Sequence, residues 1–141
     1  MIRKLKDADI DQVIDLWLEA SSKAHDFIDN AFWQSKAKDM RQVYLPSGET
    51  YVYEEKNIIK GFVSLCDDIL AALFVSPDFQ GTGIGTELMN KAKDIRDDLT
   101  LTVYKENIRS IEFYRKNGFE TGQEQLDEHT GHTELVMRFN P

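Results

Sequence analysis

The sequence predicts an α/β (α+β) domain, a mixed and mostly antiparallel sheet of six to seven strands flanked by about four helices. Three observations lead there. The stretches "TYVYEE", "IIKGFVSL" and "ILAALFV" follow one another with only the turn signals Lys56-Asn57 and Asp67-Asp68 between them, which predicts an antiparallel meander. The unit from Ala71 to Tyr104 reads strand, glycine loop, helix, strand, and such a crossover makes its two strands parallel. Amphipathic helical stretches precede the meander and follow the glycine loop.

Taken along the chain, "RKLK" at Arg3 to Lys6 is a solvated strand edge. "DADIDQVIDLWLEA" places Ile10, Val13, Ile14, Trp17 and Leu18 on one helical face, and Asp9 with Gln12 has the spacing of a capping box. A second helix runs from about Asp29 to Val43 and is closed by Pro46 and Gly48. After the meander and the glycine loop, "TELMNKAKDIRDD" carries Leu88, Met89, Ala92 and Ile95 at helical spacing. "LTLTVY" sets Leu99, Leu101 and Val103 against Thr100, Thr102 and Tyr104, the alternation of a half-buried strand. "SIEFYRKNGF" is a short helix with Gly118 as its C-terminal cap, and two further strands near "FETGQEQL" and "TELVMRF" are joined by the polar "DEHTGH".

The 141 residues suit one domain, 1–141, with 41% apolar and 30% charged residues, a globular balance. The formal charge of -8 opposes binding to nucleic acid or an anionic membrane, which needs clustered Lys and Arg. The longest apolar run, Ile69 to Val75, is far short of the roughly 20 residues that span a bilayer. "MIRKLKDADI" has no apolar segment behind its basic residues, so no secretory signal is expected and the compartment is the cytoplasm. Cys66 stands alone, forms no intrachain disulfide, and reads as a buried strand residue.

In "LFVSPDFQGTGIGTEL", Gly81, Gly83 and Gly85 lie between a strand and a helix, so backbone N–H groups at the helix start can converge on a phosphate. The alternative is a loop that only turns the chain tightly. A dinucleotide fingerprint begun at Gly81 would need its third glycine where Thr86 stands, and a P-loop would need a Lys-Ser or Lys-Thr pair. A nucleotide-binding module is therefore disfavoured.

"ALFVSPDFQGTGIGTELM" followed by "LTVYKENIRSIEFYRKNGF" resembles the two signature segments of the GNAT superfamily of N-acetyltransferases. Gln80, Gly83 and Gly85 match its Q/R-x-x-G-x-G/A motif, and Asn107, Tyr114, Gly118 and Phe119 match the second pattern. "HDFI" at His25 to Ile28 is similar to small bacterial single-domain members, some of which acetylate protein lysines. The resemblance implies acetyl-coenzyme A as cosubstrate, its pyrophosphate on the loop Gln80, Gly81, Thr82, Gly83, Ile84, Gly85 and Thr86. It further implies a splayed parallel strand pair, with the pantetheine arm along Leu73, Phe74 and Val75 and near Asn107 and Ser110. A backbone N–H near Phe74 or Val75 would polarise the thioester carbonyl.

The same resemblance makes Tyr114 the acid beside the coenzyme sulfur; the bland reading is a core aromatic. Asn107 either meets the pantetheine or caps the helix from Ile108, and the two roles can coexist. For the base, Glu106, Asp67, Asp68, Glu54, His25 and a water chain stay open. His129 and His132 in "HTGH" read as structural or solvated rather than as metal ligands, and no metal is expected. The acceptor expected is a primary amine, on a protein or peptide lysine, a peptide N-terminus or a small molecule, with the acidic Asp26 and Asp29 beside it, and the chain acts as monomer or homodimer. A non-catalytic acyl-CoA-binding sensor is the alternative.

Overall fold

The computed structural model describes residues 1–140. β1 (Ile2–Lys4), β2 (Glu49–Glu55), β3 (Ile58–Cys66) and β4 (Ile69–Val75) run antiparallel, each beside the next. The hairpins close because Lys56 and Asn57 accept φ of 54° and 65°, the left-handed pair of a two-residue turn, and Asp67 accepts 53°. β5 (Leu99–Tyr104) follows, then β6 (Glu120–Leu126) and β7 (Thr133–Phe139), and the seven strands take the order β1-β2-β3-β4-β5-β7-β6. All neighbours are antiparallel except β4 and β5.

Each face of the sheet has its own core, sorted by strand alternation. α1 (Ile10–Ala24), α2 (Asn30–Asp39) and the single turn α3 (Leu45–Ser47) cover one face, where Val13, Trp17, Trp33 and Leu45 meet Val52, Ile59 and Phe62. α4 (Ile84–Ile95) and α5 (Ile108–Lys116) cover the other, where Leu88, Met89, Ile111 and Tyr114 meet Val63, Leu101, Val103 and Met137. β5 alternates as expected, with Leu99, Leu101 and Val103 buried on the α4 side and Tyr104 turned toward the α1 side. Gly118, at φ 92°, ends α5, with Phe119 N donating to Tyr114 O at 3.0 Å. Among the described residues no helix is long and apolar enough to cross a membrane.

Several local expectations are corrected. Helical backbone continues past Val43 through a wide turn, Met40–Tyr44, into α3, and Pro46 sits inside that last turn rather than after it. Asp9 and Gln12 form no capping box. Asp9 turns back instead, accepting from Lys6 N at 2.7 Å and from both Arg3 terminal nitrogens at 2.7 and 3.0 Å. Arg3, expected to be solvated, also reaches Glu54 Oε2 at 3.0 Å, and its hydrogen bonds hold the Asp9 carboxyl below the usual range. Gln12 Oε1 accepts from Ile59 N at 3.4 Å, joining α1 to β3. Cys66 is exposed, because β3 ends there against the Asp67 turn.

Gly61 in β3 permits a close approach of α4 to the sheet. A Cβ there would lie 2.9 Å from Phe74 O, 3.0 Å from Leu88 Cδ1 and 3.2 Å from Ile84 Cγ2. Ile84 opens α4, so the bare backbone at position 61 helps to set where the glycine loop delivers its helix. Gly61→Ala is expected to destabilise by about 1–3 kcal/mol, the usual cost of overpacking. Denaturant unfolding checks this, and an unchanged midpoint would contradict it.

Candidate active site

The parallel β4/β5 pair holds at one register position, Ile69↔Thr100, reinforced by Thr100 N donating to Asp68 O at 2.9 Å. Beyond it the strands part, and a cleft of about 1250 Å³ runs between them from the glycine loop to α1 and α2. On its other edge β4 is held by β3, with Phe74 opposite Phe62 and Ser76 N donating to Lys60 O at 2.8 Å. Antiparallel alternation therefore turns the Phe74 amide to β3 and the Leu73 and Val75 amides to the gap. Gln80 agrees, since its Nε2 donates to Val75 O at 3.0 Å. Of the two amides expected to polarise a carbonyl, Val75's has the orientation and Phe74's does not.

The loop after β4 leaves the start of α4 uncapped. Gly83 is the N-cap with φ 91°, no side chain caps the helix, and the first intrahelical bond is Glu87 N to Gly83 O at 3.1 Å. The N–H groups of Gly83, Ile84, Gly85 and Thr86 consequently have no intrahelical acceptor. Gly81 has φ 80°, and a Cβ on either Gly81 or Gly83 would meet nothing within 4 Å, so side-chain-free space lies above both. A Cβ on Gly85 would touch Phe113 at 3.4 Å and Val75 at 3.6 Å in ordinary contact. Gln80, Gly81, Gly83, Gly85 and Thr86 line the cleft. Thr82 does not reach it with its side chain, whose hydroxyl donates to Phe79 O, and the Ile84 side chain is in the core. Only the backbone of these two faces a ligand.

α5 forms the opposite wall with Asn107, Ser110, Phe113 and Tyr114. Asn107 is the N-cap, its Oδ1 accepting from Ser110 N at 3.3 Å. Its Nδ2 lies 3.2 Å from His25 Nε2, so both ends of the amide are engaged within the protein. The expected cap is present, and the Asn107 backbone is engaged as well, its N–H donating to Tyr104 O at 2.9 Å and its carbonyl accepting from Ile111 N at 3.1 Å. Tyr114 is 9% exposed, packs at 5.6 Å from Phe113 and 5.7 Å from Phe119, and lines the cleft. Burial pushes its phenol up to about 12.

The base candidates separate. Glu54 is tied to Arg3, and neither it nor Asp67 or Asp68 lines the cleft. Glu106 does, facing His132 Nδ1 at 3.4 Å. His25 lines it too, but burial lowers its imidazole to about 4, so it stays neutral and weakly basic. His129 donates its backbone N–H to Asp127 Oδ1, and Asp29 caps α2 through Ala31 N. Of the two acidic residues expected near the acceptor, Asp26 is at the rim, which carries Lys23, Lys36 and Arg109 beside Asp26, Glu106 and Glu134. Net charge thus says little about this opening.

Sequence reading missed the aromatic wall at the α1–α2 end, built from Trp17, Phe32, Trp33 and Tyr104. Trp33 stacks on His25 at 5.1 Å, and Tyr104 donates to Asp127 Oδ2, pinning the β6–β7 loop beside the cleft. The outward-facing position of Tyr104 in the β5 alternation was the available signal.

His25 makes stability depend on pH. Unfolded, the ring takes its proton near 6.5; folded, only near about 4, so between these values the unfolded state binds more protons. Stability is therefore expected to fall as pH drops from 6.5 toward 4, by at most about 3 kcal/mol from this group. His25→Gln removes that part. Parallel unfolding curves for the two proteins across this window would contradict it.

The chain matches the family model described as an acetyltransferase (GNAT) domain over residues 46–121. It is 35% identical over 120 residues to the peptidyl-lysine N-acetyltransferase YiaC of Escherichia coli strain K12, covering 84% of this chain and 82% of that protein. The solution structure of apo-form YjaB from Escherichia coli superposes with a TM-score of 0.86 at 25% identity, over 99% of this chain and 96% of that one. The PaiA N-acetyltransferase of Thermoplasma acidophilum, solved in complex with coenzyme A, shares the fold with a TM-score of 0.84 at 18% identity, over 100% and 98%. The splayed strands, the open helix start and these relationships agree: the chain belongs to the GNAT family of acetyltransferases.

Proposed function

We propose that the chain, as one domain, transfers an acetyl group from acetyl-coenzyme A to a peptidyl-lysine ε-amine by direct attack in a ternary complex. One observation carries this reading: the unpaired β4 edge and the unbonded α4 amides open into a single cleft. A strand edge pairs with the amides of a pantetheine arm as it would with a peptide, and a helix N-terminus takes the pyrophosphate. YiaC, a peptidyl-lysine N-acetyltransferase by name, supports lysine as the acceptor. The lone thiol Cys66 fits a reducing, cytoplasmic setting.

In the reaction the amine nitrogen bonds to the thioester carbon, the carbon–sulfur bond breaks, and the amine proton leaves to solvent. The Val75 N–H would stabilise the carbonyl oxygen as charge develops there. A lysine amine is neutral in only a few parts per ten thousand at pH 7, so water at the Glu106 rim would take up its proton. Tyr114 would serve the departing sulfur. Full transfer from a phenol at about 12 to a thiolate of ordinary pKa is uphill by about 5 kcal/mol, although the same burial raises the thiol and narrows the gap. The hydroxyl therefore acts first as a hydrogen-bond donor to the developing thiolate.

Two variants test these assignments. Gly83→Val fills the open space above the loop and is expected to weaken acetyl-coenzyme A binding at least tenfold by calorimetry. Gly131→Val, at φ 75° and also with nothing within 4 Å, imposes a similar backbone cost in the β6–β7 loop and leaves the affinity unchanged. Equal affinity in Gly83→Val and wild type would remove the phosphate cradle. Tyr114→Phe keeps the ring and is expected to lower kcat by about a hundred- to ten-thousandfold with little change in Tm. Near-wild-type kcat, with chemistry rate-limiting, would assign Tyr114 to packing. Coenzyme binding without thiol release across lysine peptides would instead describe an acyl-CoA-binding module.

A further inference from the structure

His25 is the C-cap residue of α1, on the acceptor side of the cleft, and is 7% exposed. Asn107 opens α5 across the cleft and is 8% exposed. Their side-chain contact, Nε2 to Nδ2 at 3.2 Å, spans 82 positions of sequence. Among the described residues it is the only side-chain hydrogen bond joining residues 10–48 to residues 84–140. The two lobes of the cleft otherwise meet through apolar and aromatic packing.

The direction of the bond follows from the cap. Asn107 Oδ1 is committed to Ser110 N, so Nδ2 faces the imidazole and can only donate. Nε2 is then the unprotonated acceptor and Nδ1 carries the hydrogen. The ring has little freedom to turn away, because it stacks on Trp33 at 29° between planes and meets Phe27 and Tyr104 edge-on at 5.8 and 5.2 Å. A hydrogen bond between two buried neutral groups is worth most where neither partner can exchange it for water.

We propose that His25 is a positioning residue for acetyl transfer: by accepting from Asn107 Nδ2 it joins the acceptor-side end of α1 to the start of α5, and so fixes the distance between the acceptor lobe and Tyr114. This rests on the transfer reading above. His25 moves no proton; it acts through Asn107, whose amide it holds in the capping orientation. Losing the link frees the Asn107 amide and lets the acceptor lobe drift from the helix that carries Tyr114. Misplacement of that kind costs rate without removing any reacting group.

A double-mutant cycle with a conservative rescue tests this. His25→Leu deletes the acceptor while filling the space, and Asn107→Ser keeps a helix cap while deleting the donor. With lysine peptide as acceptor and saturating acetyl-coenzyme A, each is expected to lower kcat/KM for the peptide at least tenfold. The double variant is no worse than the poorer single one, because both remove the same bond. His25→Gln, whose side-chain oxygen can accept from Asn107, stays within about threefold of wild type, while the acetyl-coenzyme A dissociation constant changes little in the two His25 single variants. If His25→Leu does not fold, Asn107→Ser with native His25 decides alone, its imidazole nitrogen NMR spectrum reporting loss of the bond to Nε2. Wild-type kinetics in Asn107→Ser, fully additive losses in the cycle, or a protonated Nε2 in the wild type would each overturn the positioning role. A wild type inactive with every lysine peptide would overturn the transfer reading and the positioning role with it, whereas indifferent variants of an active enzyme would overturn the positioning role alone.

Discussion

The organisation of this chain turns on one incomplete pairing: β4 and β5 are neighbours in the sheet yet share a single register position, Ile69↔Thr100. A fully zipped parallel pair would satisfy both strand edges and leave no opening. Parting after one rung leaves the Leu73 and Val75 backbone groups without a strand partner on that side, a cost that a buried sheet centre ordinarily avoids. Such a cost is tolerable where a ligand with its own amides takes the place of the missing strand. The pyrophosphate and acetyl positions proposed above are both measured from that edge.

The surrounding structure keeps the opening in place. β3 holds the other edge of β4, and the bare backbone of Gly61 lets Ile84 and Leu88 bring α4 against the sheet with its open N-terminus at the end of β4. β7 braces β5 along six register pairs, Leu99↔Phe139 to Tyr104↔Glu134, so β5 is fixed without β4. Each strand of the gap is therefore supported from outside the gap. The Tyr104–Asp127 bond and the Asn107–His25 bond close the end nearest α1 and α2.

Features governed by local chemistry were legible in the sequence. The strands of the meander, the β5 alternation, the Gly118 cap and the uncapped glycine loop each depend on residues within a few positions of one another. The failures in polar pairing involve partners that the local pattern does not name. The spacing of Asp9 and Gln12 suited a capping box, but the carboxylate turns back to a bidentate arginine six residues upstream and to the Lys6 amide, and Ile59 takes the glutamine. Arg3 read as solvated because Glu54, its second partner, is 51 residues away. Cys66 read as buried because free cysteine usually is, although the last residue of a strand faces the turn. In the site, the motifs marked the glycine-loop and α5 walls of the cleft, whereas the α1–α2 end draws Trp17, Trp33 and Tyr104 from three separate elements and His25 from a helix end. No spacing encodes such an assembly.

The central claim is that the gap side of β4 lacks a strand partner and that acetyl-coenzyme A takes that place. Amide hydrogen exchange in β4, resolved by residue with and without saturating acetyl-coenzyme A, measures it most directly. Phe74, bonded to β3, should be protected in both states, while Leu73 and Val75 exchange faster in the free protein and become protected on binding, together with Gly83 to Thr86. Leu73 and Val75 amides that are already as protected as Phe74 in the free protein, or that stay unchanged at saturation, would contradict the account.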